Sequence, residues 1–449
     1  MTSENKYLKE KKVYILTLGC KVNQYESDAM MEALLNAGAV KGTENDADIC
    51  IVNTCSVTNM ADRKSRQMLS RMKKENPEAL IIAAGCYVQA VEEAKNKAGG
   101  ISAEKSGKTA SAPITADLLV GNNRKRDIVR ILTEHYSGAA VQDTMVDIAR
   151  DPEFEDLRIR MPLTHTRSYI KIQDGCNSFC SYCIIPYVRG RIRNKALTDI
   201  LHEAELLSAN GVRELVLTGI NLSSYGDIGD AQLIDVIEEV HAVPGILRIR
   251  LSSLEPRVIT DEFMRRISML PRVCPHFHLS LQSCCDTVLK RMNRKYTVDD
   301  IRAIVSRIRS SYDRPALTAD IIAGFPGETN EEFDITYNNL KELMLYEMHI
   351  FKYSRRKGTV ADTMPNQVPE PVKAERSERL ISLGSDLKDA YERSFENEPL
   401  SVLVEEITDT PEGHCYRGHT ERYILKDIPV NSVGDDEPKP ERINTIITL

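Results

Sequence analysis

The chain has 449 residues, of which 42% are apolar and 28% charged, and its formal net charge is −7. That is the balance of a soluble globular protein with more chain than one ordinary core takes up, so two or three domains are expected. The acidic balance excludes a broad electrostatic pull on nucleic acid, and any RNA contact must come from local basic patches. An apolar run at 13–19 is short and flanked by charge, so it is expected to be neither a signal core nor a membrane span. Eleven cysteines form an odd, scattered set. They are read as reduced thiols or metal ligands of a cytoplasmic protein rather than as a disulfide framework.

In chain order, 13–18, 47–53 and 79–84 read as strands and 26–37 and 60–75 as helices, the βαβ pattern of an open parallel α/β sheet. Each strand runs into a cysteine: LTLGC ends at Cys20, IVNTC at Cys55 and IAAGC at Cys86. The carboxyl ends of parallel strands line one crevice, so three cysteines 35 and 31 residues apart can meet there. Gly19 and Gly85 beside two of them would let the backbone approach a bulky ligand. Burial as small apolar side chains is the alternative for each of the three, and Cys50, inside a strand, is assigned to the core. Residues 95–116, rich in Lys, Ala, Gly and Ser, look like a flexible surface insertion. A strand at LLVGNN and a helix near 124–135 complete a first domain at 11–136, followed by a linker at 137–165.

Six further strands are expected at 168–173, 213–218, 247–252, 276–281, 317–322 and 348–353. Helices fall near 196–209, 231–242, 260–269, 297–311 and 329–344, the last two opening on the capping pairs Thr297 with Asp300 and Thr329 with Glu332. Six βα repeats across 166–395 predict a parallel, barrel-like sheet smaller than the eightfold one. Polar and glycine residues collect after its strands, where such barrels carry their chemistry: Thr218 and Gly219, Ser252 and Ser253, Gln282 and Ser283, and GFPGE from Gly324. After the first strand stands DGCNSFCSYC, with Cys176, Cys180 and Cys183 in a C-x3-C-x2-C spacing. A closed zinc site needs a fourth ligand, and the loop contains no histidine. A four-iron cluster fits better, because three thiolates leave one iron open to an exchangeable ligand.

CNSFCSYC resembles the signature loop of the radical S-adenosylmethionine superfamily. LGCKVNQYES at 18–27, NTCSVT at 53–58, AGCYVQ at 84–89, HLSLQS at 278–283, LKRMNRKYT at 289–297 and ADIIAGFPGET at 319–329 resemble the methylthiotransferases over almost the whole chain. The resemblance implies a central partial (β/α)6 radical barrel and two 4Fe-4S clusters. Cys176, Cys180 and Cys183 would hold the cluster whose open iron takes the amino and carboxylate groups of S-adenosylmethionine. Cys20, Cys55 and Cys86 would hold a second cluster, whose open iron carries the sulfur to be methylated and delivered. An electron from the first would cleave the sulfonium and release a 5'-deoxyadenosyl radical, and the second would fill the vacated carbon. Tyr182, Thr218, Gly219, Ser253, Gln282 and Gly324 are expected around the cosubstrate. No catalytic acid or base is expected, because the carbon attacked is not acidic and the cofactors carry the chemistry.

Short alternating runs at 396–449 predict a small all-β unit, which resembles the TRAM RNA-binding barrel. Its Arg417, Arg422 and Tyr423 offer cations and a ring to RNA, although solvated strand faces share that composition. Arg189 and Arg191 beside the cysteine loop, and Arg355, Arg356 and Lys357 in YSRRKGT, form two more basic patches on the expected active rim. LGCKVNQYES and YSRRKGT most resemble the branch that methylthiolates C2 of N6-threonylcarbamoyladenosine at tRNA position 37. The alternatives are isopentenyladenosine in tRNA, a ribosomal-protein aspartate, or a non-catalytic iron-sulfur RNA-binding protein. The implied partners are the tRNA, a flavodoxin- or ferredoxin-like electron donor and a sulfur donor, with no membrane. Cys284 stands where the family usually has Gly, adding a thiol beside the expected cosubstrate pocket.

Overall fold

Runs of Ile, Val and Ala flanked by polar turns build the first sheet. The computed structural model describes residues 5–97, 114–160, 166–229, 231–396, 398–411 and 413–448. Contacts divide the chain into two units, one of Met1–Ile159, Gln173–Lys195 and Ser354–Asp362, the other of Arg160–Ile172, Ala196–Tyr353 and Thr363–Leu449.

The first unit runs β1 (Lys12–Thr17), α1 (Lys21–Asn36), β2 (Val40–Lys41), β3 (Ile49–Thr54), α2 (Asn59–Glu75), β4 (Leu80–Gly85), α3 (Cys86–Lys97), β5 (Leu118–Val120) and α4 (Ile128–Ser137). The strands form a parallel sheet of order β2-β1-β3-β4-β5. Every residue of β3 and β4 is buried, as central strands covered on both faces must be. Thr58 caps α2 by accepting the Ala61 N–H. Helix α1 begins at Lys21 rather than 26, since the buried Asn23 and Glu26 hide the inward face from an apolar pattern. Helix α3 occupies the start of the expected insertion, and 98–113 of that insertion lie outside the described residues. The unit also takes the end of β6 (Ser168–Asp174), α5 (Ile185–Val188) and β7 (Arg193–Asn194), with β6 and β7 antiparallel.

The second unit continues through α6 (Leu197–Ala209), β8 (Glu214–Gly219), α7 (Leu233–Ala242), β9 (Arg248–Leu251), α8 (Asp261–Ile267), β10 (His276–Gln282), α9 (Asp286–Arg291), α10 (Val298–Ser311), β11 (Ala316–Ala323), α11 (Asn330–Leu343), β12 (Glu347–Lys352) and α12 (Glu370–Arg393). Sheets of order β7-β6-β8-β9 and β10-β11-β12 are joined by a parallel bridge between Leu254 and Leu279. Six strands thus follow one another as a partial parallel barrel. The capping boxes at Thr297 and Thr329 form as expected, and α10 buries Val298, Ile301, Ile304, Val305 and Ile308 along one stripe. Helices α9 and α12 were not anticipated. In α12 charged residues surround a narrow apolar strip that includes Leu380 and Leu383, too sparse to stand out.

The C-terminal sheet is antiparallel, β15-β14-β13-β16, from β13 (Ser401–Thr410), β14 (Gly413–Thr420), β15 (Leu425–Pro429) and β16 (Ile446–Thr448). Val402, Val404, Tyr416, Ile428, Val430 and Ile447 form its core. Arginines of the barrel hold it. Arg250 binds the buried Glu214 with Nε at 3.0 Å and reaches the Thr420 carbonyl at 3.2 Å. Arg248 donates to the carbonyls of His419 and Ser401 at 3.0 and 2.8 Å, and Arg167 pairs with Glu405. The Tyr423 ring stacks on His419 at 4.4 Å and lies under Arg167 and Arg250 at 5.2 and 4.8 Å. Tyr423 and Arg422, expected to face RNA, are each engaged within the protein. Tyr423 fills a docking contact, and Arg422 donates to the carbonyls of Arg314 and Asp313. Among the described residues, no helix is long and apolar enough to cross a membrane.

Removing one partner of a buried ion pair leaves an uncompensated charge and costs about 3–5 kcal/mol. Arg250→Ala is therefore expected to lower the urea midpoint strongly, while Arg417→Ala, at a solvent-facing pair with Asp427, leaves it nearly unchanged.

Candidate functional site

Cys20 caps α1, Cys55 follows β3 and Cys86 opens α3 directly after β4. Since β1, β3 and β4 are parallel neighbours in register, their cysteine turns stand side by side. A Cβ on Gly19, where φ is +107°, would lie 2.9 Å from Cys55 Cβ and 3.0 Å from its Sγ. At Gly85, with φ +94°, it would lie 2.7 Å from Asn53 Oδ1. Glycine is needed at both places so that one cysteine turn can approach another. The thiols also interact electrostatically: Cys86 and Cys20 both act on Cys55, and Cys86 acts on Cys20. Burial, reinforced by Cys86, pushes the Cys55 thiol up to about 12, so ligation there at neutral pH must release its proton. Cys55 and Cys86 are buried, while Cys20 is exposed.

A polar frame that the sequence pattern did not reveal surrounds this trio. Asn23 donates to the carbonyls of Leu18 and Thr54 at 2.7 and 3.0 Å, and Asn53 donates to the Asn23 carbonyl at 2.9 Å. These bonds tie the first two cysteine turns together. Arg189, fully buried, points its Nε at Cys86 Sγ across 3.2 Å and bonds Asn23 Oδ1 at 2.7 Å. Glu26, equally buried, pairs with Arg189 through both oxygens and with Lys125. Asn122 donates to Cys86 Sγ at 3.6 Å and to the Val188 carbonyl at 2.7 Å. Burial opposes the Arg189 charge, but Cys86, Glu26 and Asp174 outweigh it and hold the guanidinium well above its ordinary pKa. Arg189 is therefore turned to Cys86 rather than to solvent, and Arg356 is likewise buried, against Asp62 and Ser56. In sequence both stand in basic runs, and their acidic partners are too distant along the chain to be paired with them. Arg191, Arg355 and Lys357 are exposed.

The second trio lies in the same unit. Cys176 N–H bonds the Gly190 carbonyl at 3.1 Å, its Sγ accepts the Ser178 N–H at 3.4 Å, and Cys183 N–H closes a turn on the Cys180 carbonyl at 2.9 Å. Phe179, between the cysteines, has φ +47°, a rare conformation for a bulky residue. Its ring meets Tyr187 edge-on at 6.0 Å and lies under Arg191 at 4.6 Å. Tyr182 is half-buried in this loop. Among the described residues, one group of His, Cys, Asp or Glu has all its ligand atoms within 4.8 Å of one another, and neither trio belongs to it. Three thiolates as the donor set suit a four-iron cluster with one open iron.

The other expected cosubstrate residues lie at strand ends of the second unit. Thr218 is buried in β8 with Gly219 beside it, and Gln282 ends β10 at a register shift with φ +67°. Gly324 follows β11 and donates its N–H to Glu328 at 2.8 Å. Ser253 is exposed, whereas Ser252 is buried with its Oγ unpartnered. Cys284 is fully buried, and burial pushes its thiol up to about 12, the state of an inert packing thiol.

The radical SAM superfamily matches residues 170–340, and a family described as uncharacterized, UPF0004, matches residues 12–103. The threonylcarbamoyladenosine tRNA methylthiotransferase MtaB of Bacillus subtilis (strain 168) is 37% identical over 91% of this chain and 88% of its own. A tRNA-2-methylthio-N(6)-dimethylallyladenosine synthase of Acetivibrio thermocellus is 36% identical over 98% of this chain and 90% of its own. Among solved structures, the radical S-adenosylmethionine methyltransferase TsrM from Kitasatospora setae, with cobalamin and a [4Fe-4S] cluster bound, aligns with a TM-score of 0.55. The two share the fold at 15% identity, over 76% of this chain and 75% of the other.

Arg189→Gln keeps hydrogen-bonding capacity but removes the charge beside Cys86. The expected outcome is a protein that binds iron at Cys176, Cys180 and Cys183 but loads the N-terminal trio poorly, measured as iron and sulfide per chain with Mössbauer spectra. Arg189→Lys is expected to recover part of that loading.

Proposed function

The chain belongs to the radical S-adenosylmethionine methylthiotransferase family, whose members use S-adenosylmethionine and 4Fe-4S clusters, and from that premise we propose that it methylthiolates C2 of N6-threonylcarbamoyladenosine at position 37 of tRNA in the cytoplasm. The observation that carries this is the presence of two separate cysteine trios in one unit, each with its own backbone and side-chain frame. Replacing an aromatic C–H with C–S takes a hydrogen-abstracting radical and a sulfur source, and two clusters with S-adenosylmethionine supply both. Cys176, Cys180 and Cys183 anchor the radical-forming cluster, and Cys20, Cys55 and Cys86 the sulfur-bearing one. Thr218, Gly219, Ser253, Gln282 and Gly324, at strand ends of the second unit, are assigned to the cosubstrate. Electrons come from a flavodoxin- or ferredoxin-like donor, and sulfur from a separate donor. Relatives named for threonylcarbamoyladenosine, at 34–37% identity, and for dimethylallyladenosine, at 34–36%, both match, and LGCKVNQYES and YSRRKGT support the first substrate.

The test is turnover of tRNA carrying either threonylcarbamoyladenosine or isopentenyladenosine, with nucleosides and 5'-deoxyadenosine read by mass spectrometry. Methylthiolation of the first alone is expected. Product from the second alone would move the chain to the other branch, and absence of 5'-deoxyadenosine would remove it from radical chemistry. The Cys176/Cys180/Cys183→Ala variant is expected to keep one four-iron cluster and lose all product.

RNA contact is assigned to the exposed cations. Each phosphate contact contributes about 0.9 to the slope of log K against log salt, so replacing Arg191, Arg355 and Lys357 by Ala is expected to flatten it by roughly two to three units. An unchanged slope would clear these residues of phosphate contact.

A further inference from the structure

The second unit carries a ligand set that uses none of the cluster cysteines. His278 on β10, Asp320 on β11 and His349 on β12 bring their ligand atoms within 4.8 Å of one another. Adjacent parallel strands create the grouping: His278 is in register with Thr318 and Asp320 with His349. Side chains alternate along a strand, so these residues share one sheet face while Leu279, Ala319 and Met348 turn to the buried side.

The geometry is that of ligands facing a common point. His278 Nε2 stands 3.3 Å from Asp320 Oδ2, and His349 Nδ1 stands 3.2 Å from Asp320 Oδ1. The imidazole centroids are 5.2 Å apart with planes inclined by 31°. The remaining nitrogen of His278, Nδ1, lies 2.8 Å from Thr318 Oγ1. A histidine that binds a metal through one nitrogen is ordinarily held by such a partner on the other, which fixes ring orientation and tautomer. Side-chain exposure rises across the set, from 10% at His278 through 26% at Asp320 to 50% at His349. The group is therefore anchored on one side and open to exchangeable ligands on the other, as three-ligand sites are. Two imidazoles and one carboxylate suit zinc-class divalent ions and, in the facial arrangement, ferrous iron. They do not suit a 4Fe-4S cluster, which thiolates hold.

We infer that His278, Asp320 and His349 form a mononuclear site for a divalent transition ion of the zinc class, with open positions for oxygen ligands on the exposed side. It is independent of the substrate proposed above, because it rests on the three side chains alone.

The test uses the full-length, anaerobically reconstituted protein, equilibrated with zinc chloride and then desalted. Zinc and iron are counted per chain, and zinc K-edge absorption identifies the neighbours. The expected result is one retained zinc with nitrogen and oxygen neighbours at about 2.0–2.1 Å. His349→Ala, at a half-exposed position, and Asp320→Asn should each lose that zinc with iron content unchanged. Thr318→Val should keep all three ligands and bind zinc about 10- to 100-fold more weakly. Any of three results would overturn the site: zinc retained only at trace level, sulfur neighbours near 2.3 Å marking zinc in a cysteine trio, or zinc that survives in both ligand variants. The three residues would then be a hydrogen-bonded cluster only.

Discussion

The buried guanidinium of Arg189 is the constraint on which the rest of the first unit depends. It sits between Glu26, Asp174 and Cys86 with almost no access to water, where an unpaired charge would be prohibitively costly. Glu26 answers it and is also paired with Lys125, so two cations share one buried carboxylate and Asp174 supplies the balance. This arrangement links three stretches far apart in sequence: the first helix, the turn near 122–125 and the extension after the cysteine loop. It also places positive charge and N–H donors at Cys86 Sγ, a sulfur that the proposed cluster would need as a thiolate. Donors to sulfur and nearby charge are among the levers by which a protein sets the potential of an iron-sulfur centre.

Arginine has a second structural use in the other unit. Arg167, Arg248 and Arg250 converge on Glu214 and reach out to carbonyls and rings of the C-terminal sheet. The planar, multiply donating guanidinium suits that task, since each can satisfy a carboxylate and cap strand-end carbonyls together. The lock explains why Tyr423 takes a left-handed conformation at φ +66°: the turn must deliver its ring under two arginines. Positive φ also occurs at Phe179 in the cysteine loop and at Gln282 at the end of β10, both among or beside the proposed ligands. Such outliers persist where surrounding contacts over-determine them, and they cluster at sites with a job to do.

Backbone periodicity carried much of the architecture in the sequence. Apart from the two-residue β2, the strands of the first sheet and of the barrel fall within a few residues of their expected positions, because buried parallel strands are continuous apolar runs. The helices at Thr297 and Thr329 begin at their capping pairs because a cap is a local interaction. Helices α1, α3 and α12 were harder to see, in whole or in part, because polar and charged residues occupy or flank their inward faces. Charged residues were the least legible. In VRGRIRNK, Arg189, Arg193 and Lys195 are buried while Arg191 is exposed. Nothing in that stretch separates them, since the groups that meet them lie elsewhere in the chain.

By itself the sequence determined the local and the chemical: strand and helix runs, the C-x3-C-x2-C loop, the cysteines past the strand ends, and the family resemblance those motifs carry. Only the tertiary structure decided which charges are internal, that Asn23, Asn53 and Arg189 frame the N-terminal trio, and that His278, Asp320 and His349 meet on one sheet face. The reason is physical. Motifs and periodicity are set over a few residues of chain, whereas burial and ligand convergence depend on strand register and on partners tens to hundreds of residues away.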